Sequence, residues 1–338
     1  MSATSSNSTF YIDLEEDEKD YDINIKDLTI GEIFEDGYFS KTYKGELKIN
    51  NKKIPVIVKK AADSEDKTQK RMIGEEIGAL IEIKRHPNIL EFVGIVTDSG
   101  IQSIVFEYPD GENLQEFVRA CRQKGTFNAN VETEFNGFVL VDSNSEAFNN
   151  QQSLKTQHYL CTADLVSIAL QIAKAMKYLT ELSYVHRQLR LSSVLIKKDK
   201  TIRLTEFGLA RKNNNHYYRI MHKENPLPHH WMAPENFDEK KFTEKSEIWS
   251  YAVCLWELFT LGDIPYQGVE DMLKYLSVGR RLPQPNYCSK EIYDFLKGCW
   301  DLDPSKRPTF SECVDFFEKQ LEQFIKEQPL NKPSSNNA

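Results

Sequence analysis

The hydrophobic period of this chain changes once, and that change divides it. From Leu28 to Val96 the apolar residues come in short β-branched and aromatic runs, LTIGEIF, SKTYKGELKI and KIPVIVKK, with IQSIVFEY following. Such runs read as strands of a small, mostly antiparallel sheet. A charged stretch from about Glu65 to Arg85 interrupts them as a single helix. Beyond residue 160 the period is helical: Leu165, Ile168, Ala169, Ile172, Ala175, Met176 and Leu179 fall at 3- and 4-residue steps, the stripe of a long amphipathic helix. Further helices are expected from about Glu244, Asp271, Lys290 and Thr309. The predicted fold class is therefore α+β, a small antiparallel β lobe with one helix joined to a larger, mainly helical lobe.

Length and composition narrow the function. The 338 residues are enough for two units or one large two-lobed one, and 40% hydrophobic residues support a substantial core. Acidic residues outnumber basic ones, 51 to 43, which argues against a nucleic-acid partner bound through bulk charge. Six scattered cysteines without a CxxC pair read as reduced core thiols. No apolar stretch follows a basic start, so no leader is expected. The longest apolar run, Trp249 to Leu261, is too short for a bilayer and carries Glu257, so no membrane span is expected in this chain. The expected location is cytoplasmic.

Composition also sets the expected boundaries. Residues 1–25 read as a disordered acidic tail carrying two exposed tyrosines, Tyr11 and Tyr21. A folded domain is expected over 26–322, with the small lobe at about 26–108 and the large lobe at about 110–322. A polar insert, rich in Asn, Ser, Thr and Gln, occupies about 123–159, and a polar tail covers 323–338.

Several strings resemble one family. VHRQLRLSSVLI resembles the catalytic loop of protein kinases, TEFGLAR their metal-binding motif, and HHWMAPE the end of their activation segment. VIVKK resembles the third-strand lysine motif and EDGYFSKTYKG a worn glycine-rich loop. Five motifs in the family's order over Leu28–Leu321 leave little room for chance. Within the family the chain resembles the tyrosine-kinase branch, especially split-insert growth-factor receptors. His86 ten positions after Glu76, the insert before DLVSIALQIAKAMKYL, WMAPE and WELFTLGDIPYQGV carry that likeness, whereas Arg190 follows the cytoplasmic tyrosine-kinase pattern.

The resemblance implies ATP as phosphoryl donor, magnesium to neutralise charge, and a carboxylate to orient the acceptor hydroxyl. Gln188 stands where the catalytic Asp is expected. An amide cannot take the proton, and a lost general base costs about 10²–10⁴ in rate. Ser193 replaces the Asn that binds a second magnesium, and Glu206 replaces the metal-binding Asp, one methylene too long for a strict octahedral site. Of three loop glycines only Gly37 remains, with Glu35 and Ser40 in the other places. Glycines there let the backbone close over phosphates. Ile57 replaces a small residue that faces adenine. Three residues along the hinge counted from Phe106 stands Pro109, which has no N–H to donate. Glu107 and Leu195 complete the nucleotide positions, so ATP and magnesium are expected to bind weakly.

The same resemblance implies that the structural frame survives. Lys59 and Glu76 match the strand–helix ion pair. Leu80, His186 and Phe207 match a hydrophobic spine, and Glu235 and Arg307 a buried ion pair. Glu247 stands where an Asp anchors the catalytic loop. Arg187 is left to bind a phosphate on the activation segment, where Tyr217 and Tyr218 are the candidate acceptors. His229 and His230 lack a third ligand at metal spacing and read as core or surface histidines. The expectation is a tyrosine-kinase-like pseudokinase serving as allosteric partner or scaffold to an active tyrosine kinase or other signalling protein. The alternatives are an active ATP-dependent tyrosine kinase with an atypical site, or a phosphotyrosine docking module.

Overall fold

In KIPVIVKK no polar residue alternates with the apolar ones, so that strand must be covered on both faces. In the computed structural model, which describes residues 21–127, 160–213, 218–219 and 227–327, it is. Strand β3 (Lys52–Ala61) is the middle of a five-stranded antiparallel sheet with β1 (Leu28–Asp36), β2 (Ser40–Ile49), β4 (Phe92–Asp98) and β5 (Ile101–Glu107), in the order β1-β2-β3-β5-β4. Val56 and Val58 point to one side, where Leu28, Leu47, Val96 and Val105 bury them. Ile57 and Lys59 point to the other and are buried too. Helix α1 (Lys67–Ile83) follows, its buried Ile73, Glu76, Ile77, Leu80 and Ile83 falling at one- to four-residue steps along one face.

The described residues form two units: 21–77 with 92–108, and 78–91 with the remainder from 109. The small lobe expected over 26–108 thus loses 78–91 to the helical unit. Hydrogen bonds give the reason. Within that unit the Tyr178 hydroxyl donates to the Ile83 carbonyl, the Asn88 amide to Gln171, and the Leu90 N–H to the Leu204 carbonyl.

The first of the described residues also depart from the expected boundary. Residues 21–25 were assigned to the acidic tail, yet the Ile95 N–H donates to the Tyr21 carbonyl and the Ile23 N–H donates back to the Ile95 carbonyl, each at 2.7 Å. Tyr21 is half-buried rather than exposed. A turn over Ile25–Asp27, capped by Asn24, then leads into β1. Tyr11 lies outside the described residues, as do 128–159, most of the expected insert.

The helical unit is built around α3 (Thr162–Glu181) and α5 (Glu244–Phe259). Helix α5 is buried nearly all round and takes Glu247 and Glu257 into the core. The Tyr251 hydroxyl of α5 donates to the Ala169 carbonyl of α3 at 2.9 Å. The Tyr251 ring packs edge-on against Phe310 and Phe317 of α8 (Phe310–Glu327). Around this core lie α2 (Leu114–Gln123), α4 (Pro234–Asp238), α6 (Met272–Ser277) and α7 (Lys290–Cys299). Short antiparallel pieces complete the unit: β6 (Gly111–Asn113) with β8 (Val194–Lys197) and β9 (Ile202–Leu204), β7 (Tyr184–Val185) with β10 (Arg211–Lys212), and β11 (Tyr218–Arg219) with β12 (Lys241–Phe242). Helix α8 continues to Glu327, past the boundary expected at 322. Among the described residues no helix is long and apolar enough to cross a membrane.

One ion pair fastens the lower part of this unit. Arg307, 2% exposed, reaches both oxygens of Glu235 at 2.6 and 2.9 Å, and also donates to the Lys245 and Asp301 carbonyls. Glu235→Ala would leave a guanidinium buried without its counter-charge. That variant is expected to lose about 3–5 kcal/mol in denaturant melts, whereas a Glu235→Ala/Arg307→Met double variant is expected to recover much of it.

Candidate active site

In the sheet unit the alternation of β3 decides what the site positions face. Lys59 shares its side of the strand with Ile57, so a sequence that keeps the lysine inward also sends the isoleucine inward. The Lys59 ammonium donates to the Glu76 carboxylate at 2.9 Å, with both side chains at least nine-tenths buried. Such a pair holds together because each charge is compensated where water cannot do it. Ile57 is 4% exposed and is paired across the ladder with Phe106 of β5. Glu107, next along β5, is half-buried and opposite Val56. Gly37 lies between β1 and β2, where a Cβ would come within 2.6 Å of the Ser40 carbonyl oxygen. This is a close backbone approach that only glycine permits. The Phe34 ring of β1 meets Tyr108 edge to face at 6.5 Å.

In the helical unit the loop after β7 is hung from α5. Glu247 is 2% exposed, and its carboxylate accepts the His186 N–H at 3.1 Å and the Arg187 N–H at 3.1 and 3.3 Å. Burial pushes its pKa up to about 7, against the lowering effect of the Arg187 and His186 amides and the Arg187 charge. The longer side chain therefore reaches the loop that an aspartate was expected to anchor. His186 donates from Nε2 to the Thr205 carbonyl and accepts the Gln188 N–H at Nδ1. Burial pulls its pKa down to about 4, so the ring is neutral. It meets Phe207 edge to face at 5.1 Å.

The following residues close on themselves. Gln188 is half-buried. The Ser193 hydroxyl accepts the Arg190 N–H at 3.1 Å and donates to the Arg190 carbonyl at 2.7 Å, and its own carbonyl takes Thr205. Leu195, on β8, is half-buried on the face opposite Val194 and Ile196. Glu206 adopts left-handed backbone at φ 66° just before a turn over Phe207–Leu209. Among the described residues no group of three or more His, Cys, Asp or Glu side chains is placed to hold a metal. His229 and His230 instead lie against the rings of Phe237 and Trp231.

Arg187, expected to meet a phosphate on the activation segment, is engaged in the unmodified chain by a carbonyl and two rings. Its Nε donates to the Leu209 carbonyl at 2.7 Å, and the guanidinium lies 4.5 Å from the centre of the Tyr218 ring and 5.4 Å from that of Phe242. The unmodified Tyr218 is half-buried in a cluster with Val185, Met232 and Phe242. Tyr217 lies outside the described residues.

The sequence reading missed Glu257 as a site residue. Fully buried on α5, it accepts the Leu191 N–H at 2.9 Å and Trp231 Nε1 at 2.7 Å on one oxygen, and Gln115 Nε2 at 3.1 Å on the other. It thereby ties the loop, the WMAPE turn and α2 to one carboxylate. The signal was present: a single acid in an otherwise apolar run is costly unless it serves several donors.

Both buried glutamates titrate near neutrality, with different tolerance of an amide. Burial raises the Glu257 pKa to about 7 from 4.5. The stability it contributes is full below the unfolded value and is lost as pH rises through about 7. Glu257→Gln keeps an oxygen for Leu191 and Trp231, while Gln115 can turn its amide to accept. Compared with the parent chain in urea melts, this variant is expected to match it near pH 4.5 and to become the more stable of the two as pH rises to 7. Glu247→Gln sets an amide N–H against the Arg187 N–H and is expected to lose about 1–3 kcal/mol near pH 4.5, a deficit that narrows as pH rises to 7 and the parent's own contribution is lost.

The sequence matches the family model described as protein tyrosine and serine/threonine kinase over residues 28–317. It is 39% identical over 331 residues to the tyrosine-protein kinase receptor old-1 of Caenorhabditis elegans, covering 92% of this chain and 61% of that one. It is 38% identical over 315 residues to the receptor-like tyrosine-protein kinase kin-15 of the same organism, covering 86% and 64%. To a fibroblast growth factor receptor of Halocynthia roretzi it is 30% identical over 309 residues, covering 89% and 39%. The chain thus spans less than two thirds of the length of each of these relatives. The ion pair on β3, the loop hung from α5 and a match across most of the sequence lead to one assignment: this chain belongs to the protein tyrosine and serine/threonine kinase family, with a domain homologous to those of receptor tyrosine kinases.

Proposed function

We propose that the chain is a tyrosine-kinase-like pseudokinase, acting in the cytoplasm as allosteric partner or scaffold of an active tyrosine kinase. It would do so either as a free protein or as the cytoplasmic part of a longer receptor. The observation that carries this reading is the state of the loop after β7. Its anchorage is intact, with Glu247 on the His186 and Arg187 amides, while its chemistry is changed at Gln188 and Ser193. Phosphoryl transfer asks the protein mainly for position and charge. At the proton-accepting position Gln188 offers a neutral amide. At the second-metal position the Ser193 hydroxyl is bonded in both directions to Arg190. Glu206 alone remains as an anionic ligand, and this donor set does not fit a pair of magnesium ions.

The nucleotide positions support the same reading. Ile57 fills its side of β3, and Pro109 brings no N–H to the hinge. A frame kept in order without its reactive groups suits a role in which a folded surface is the product. On this reading Tyr217 and Tyr218 are substrates of the partner. A phosphate on Tyr218 would exchange the ring's hold on Arg187 for charge-assisted bonds.

The purified chain is expected to show no phosphoryl transfer to peptide or to itself with magnesium or manganese. Autophosphorylation that Lys59→Met abolishes would instead establish an active kinase with an atypical site. Gln188→Asp alone is expected to restore little, because metal and nucleotide positions remain altered. Pro109→Ala combined with Ile57→Ala is expected to tighten adenine-nucleotide binding in calorimetry. The restored N–H is worth about 0.5–1.5 kcal/mol, and the shortened side chain adds room. Low-micromolar binding by the parent chain would show that the hinge has been read wrongly.

A further inference from the structure

The loop after β7 carries a cation that the domain does not use up. The backbone of Arg190 is fixed, because the Ser193 hydroxyl bonds both its N–H and its carbonyl. Its guanidinium carbon lies 5.9 Å from the centre of the Trp231 ring. The Arg190 Nε is buried and has no hydrogen-bond partner among the described residues. A buried N–H in that state favours any acceptor that can reach it. Trp231 is itself fixed, its Nε1 donating to Glu257, and the His230 ring stacks on it at 6.1 Å with 29° between planes. Arg190 is close enough for its charge to act on Glu257 and His186. Glu257 gives it only part of a counter-charge. Three donors already occupy that carboxylate, and burial holds its pKa up at about 7. All of these residues lie in the helical unit.

The residue at 188 decides what such a place attracts. A carboxylate there suits a neutral hydroxyl and repels a phosphate monoester, which carries about 1.5–2 negative charges at neutral pH. Gln188 brings no charge, and its amide nitrogen can donate to a phosphate oxygen. It stands two residues before Arg190 on backbone pinned either side, with the Gln188 N–H on His186 Nδ1 and the Leu191 N–H on Glu257. We infer that this loop and the Trp231 turn form a phosphotyrosine-binding site, in which the residue that takes the place of the proton acceptor turns the preference from a tyrosyl to a phosphotyrosyl peptide. The site rests on the pseudokinase reading and gives that scaffold a ligand, a phosphotyrosyl segment of its partner. The phosphate meets the Arg190 guanidinium and the Gln188 amide in charge-assisted bonds that engage the unpartnered Nε. The peptide lies against Trp231 and His230. Phosphotyrosine is preferred to phosphoserine, because its ring supplies the reach to the half-buried Gln188. Arg187 takes no part, being held by the Leu209 carbonyl and the Tyr218 and Phe242 rings. Glu206, whose charge also acts on His186, is the acid that works against the anion. No covalent bond is made or broken.

Fluorescence anisotropy without ATP or metal reads the site directly. The full 338-residue chain is titrated against a short labelled peptide with one central tyrosine, in unmodified, phosphotyrosyl and phosphoseryl versions. The phosphotyrosyl peptide is expected to bind at least about tenfold more tightly than either of the others. Gln188→Asp puts an anion in place of a neutral group of similar shape. It is expected to weaken the phosphotyrosyl peptide at least about tenfold and to leave the unmodified one within about twofold. Arg190→Ala is expected to abolish the preference for phosphate. Arg190→Lys, which keeps the charge but not the buried Nε, is expected to retain only part of it. Glu206→Gln is expected to tighten the phosphotyrosyl peptide. Thermal melts establish that each variant is folded, and should Arg190→Ala not fold, Arg190→Lys and Gln188→Asp decide. A phosphotyrosyl peptide that fails to outbind both others, or a preference that survives the Arg190 and Gln188 variants, overturns the inference. The unmodified peptide is also incubated with the chain, ATP and magnesium. Phosphate transferred to it counts against the pseudokinase reading, while the anisotropy series alone judges the site.

Discussion

The helical unit depends on two carboxylates that a solvent-facing helix would not need. Glu247 and Glu257 project from α5, a helix otherwise sealed in apolar side chains, and between them they hold five donors. Without them the backbone after β7 would present unpaired amides to a dry interior, at about 1–3 kcal/mol apiece. The arrangement explains why the course of this loop does not depend on the side chains at Gln188 and Ser193. The groups that fix its path are backbone amides, which every sequence supplies. Those that would make it react are side chains, which can be replaced without disturbing the hang of the chain.

Much of the fold could be read from periodicity. The boundaries of α3, α5, α7 and α8 lie within a few residues of the stripes at Leu165, Glu244, Lys290 and Thr309, because long amphipathic helices are written in local spacing. Helix α2 and the two-residue strands were not legible. They are specified by partners far along the chain, such as Asn113 and the Ser192 carbonyl or Tyr218 and Phe242. The same division runs through the site. Lys59 and Glu76 were legible as a pair because two motifs name them. The role of Glu257 and the stacking of Arg187 on Tyr218 were not, because each requires knowing which distant elements meet.

The first described residues show how composition misleads at an edge. An acidic run beginning in Ser, Thr and Asn has every mark of a solvated tail, and it hides Tyr21 and Ile23. Their docking is fixed by a gap at Gly94 more than seventy residues away. A glycine inside a strand is read locally as a weakness. Here it is a recess cut to the shape of another strand.

Phe127 and Leu160 are joined by a β-bridge, with Phe127 further held against the Tyr287 ring at 4.5 Å. The two ends of a 32-residue interval are thereby held together at one point. Closing a longer or shorter excursion at such a point changes its entropy only slowly, by about 0.6 kcal/mol for each doubling of length. Changes of length in that interval therefore weigh little on closure entropy. The bridge works as a port through which length, charge and binding motifs can be exchanged over evolutionary time while the loop hung from α5 stays as it is.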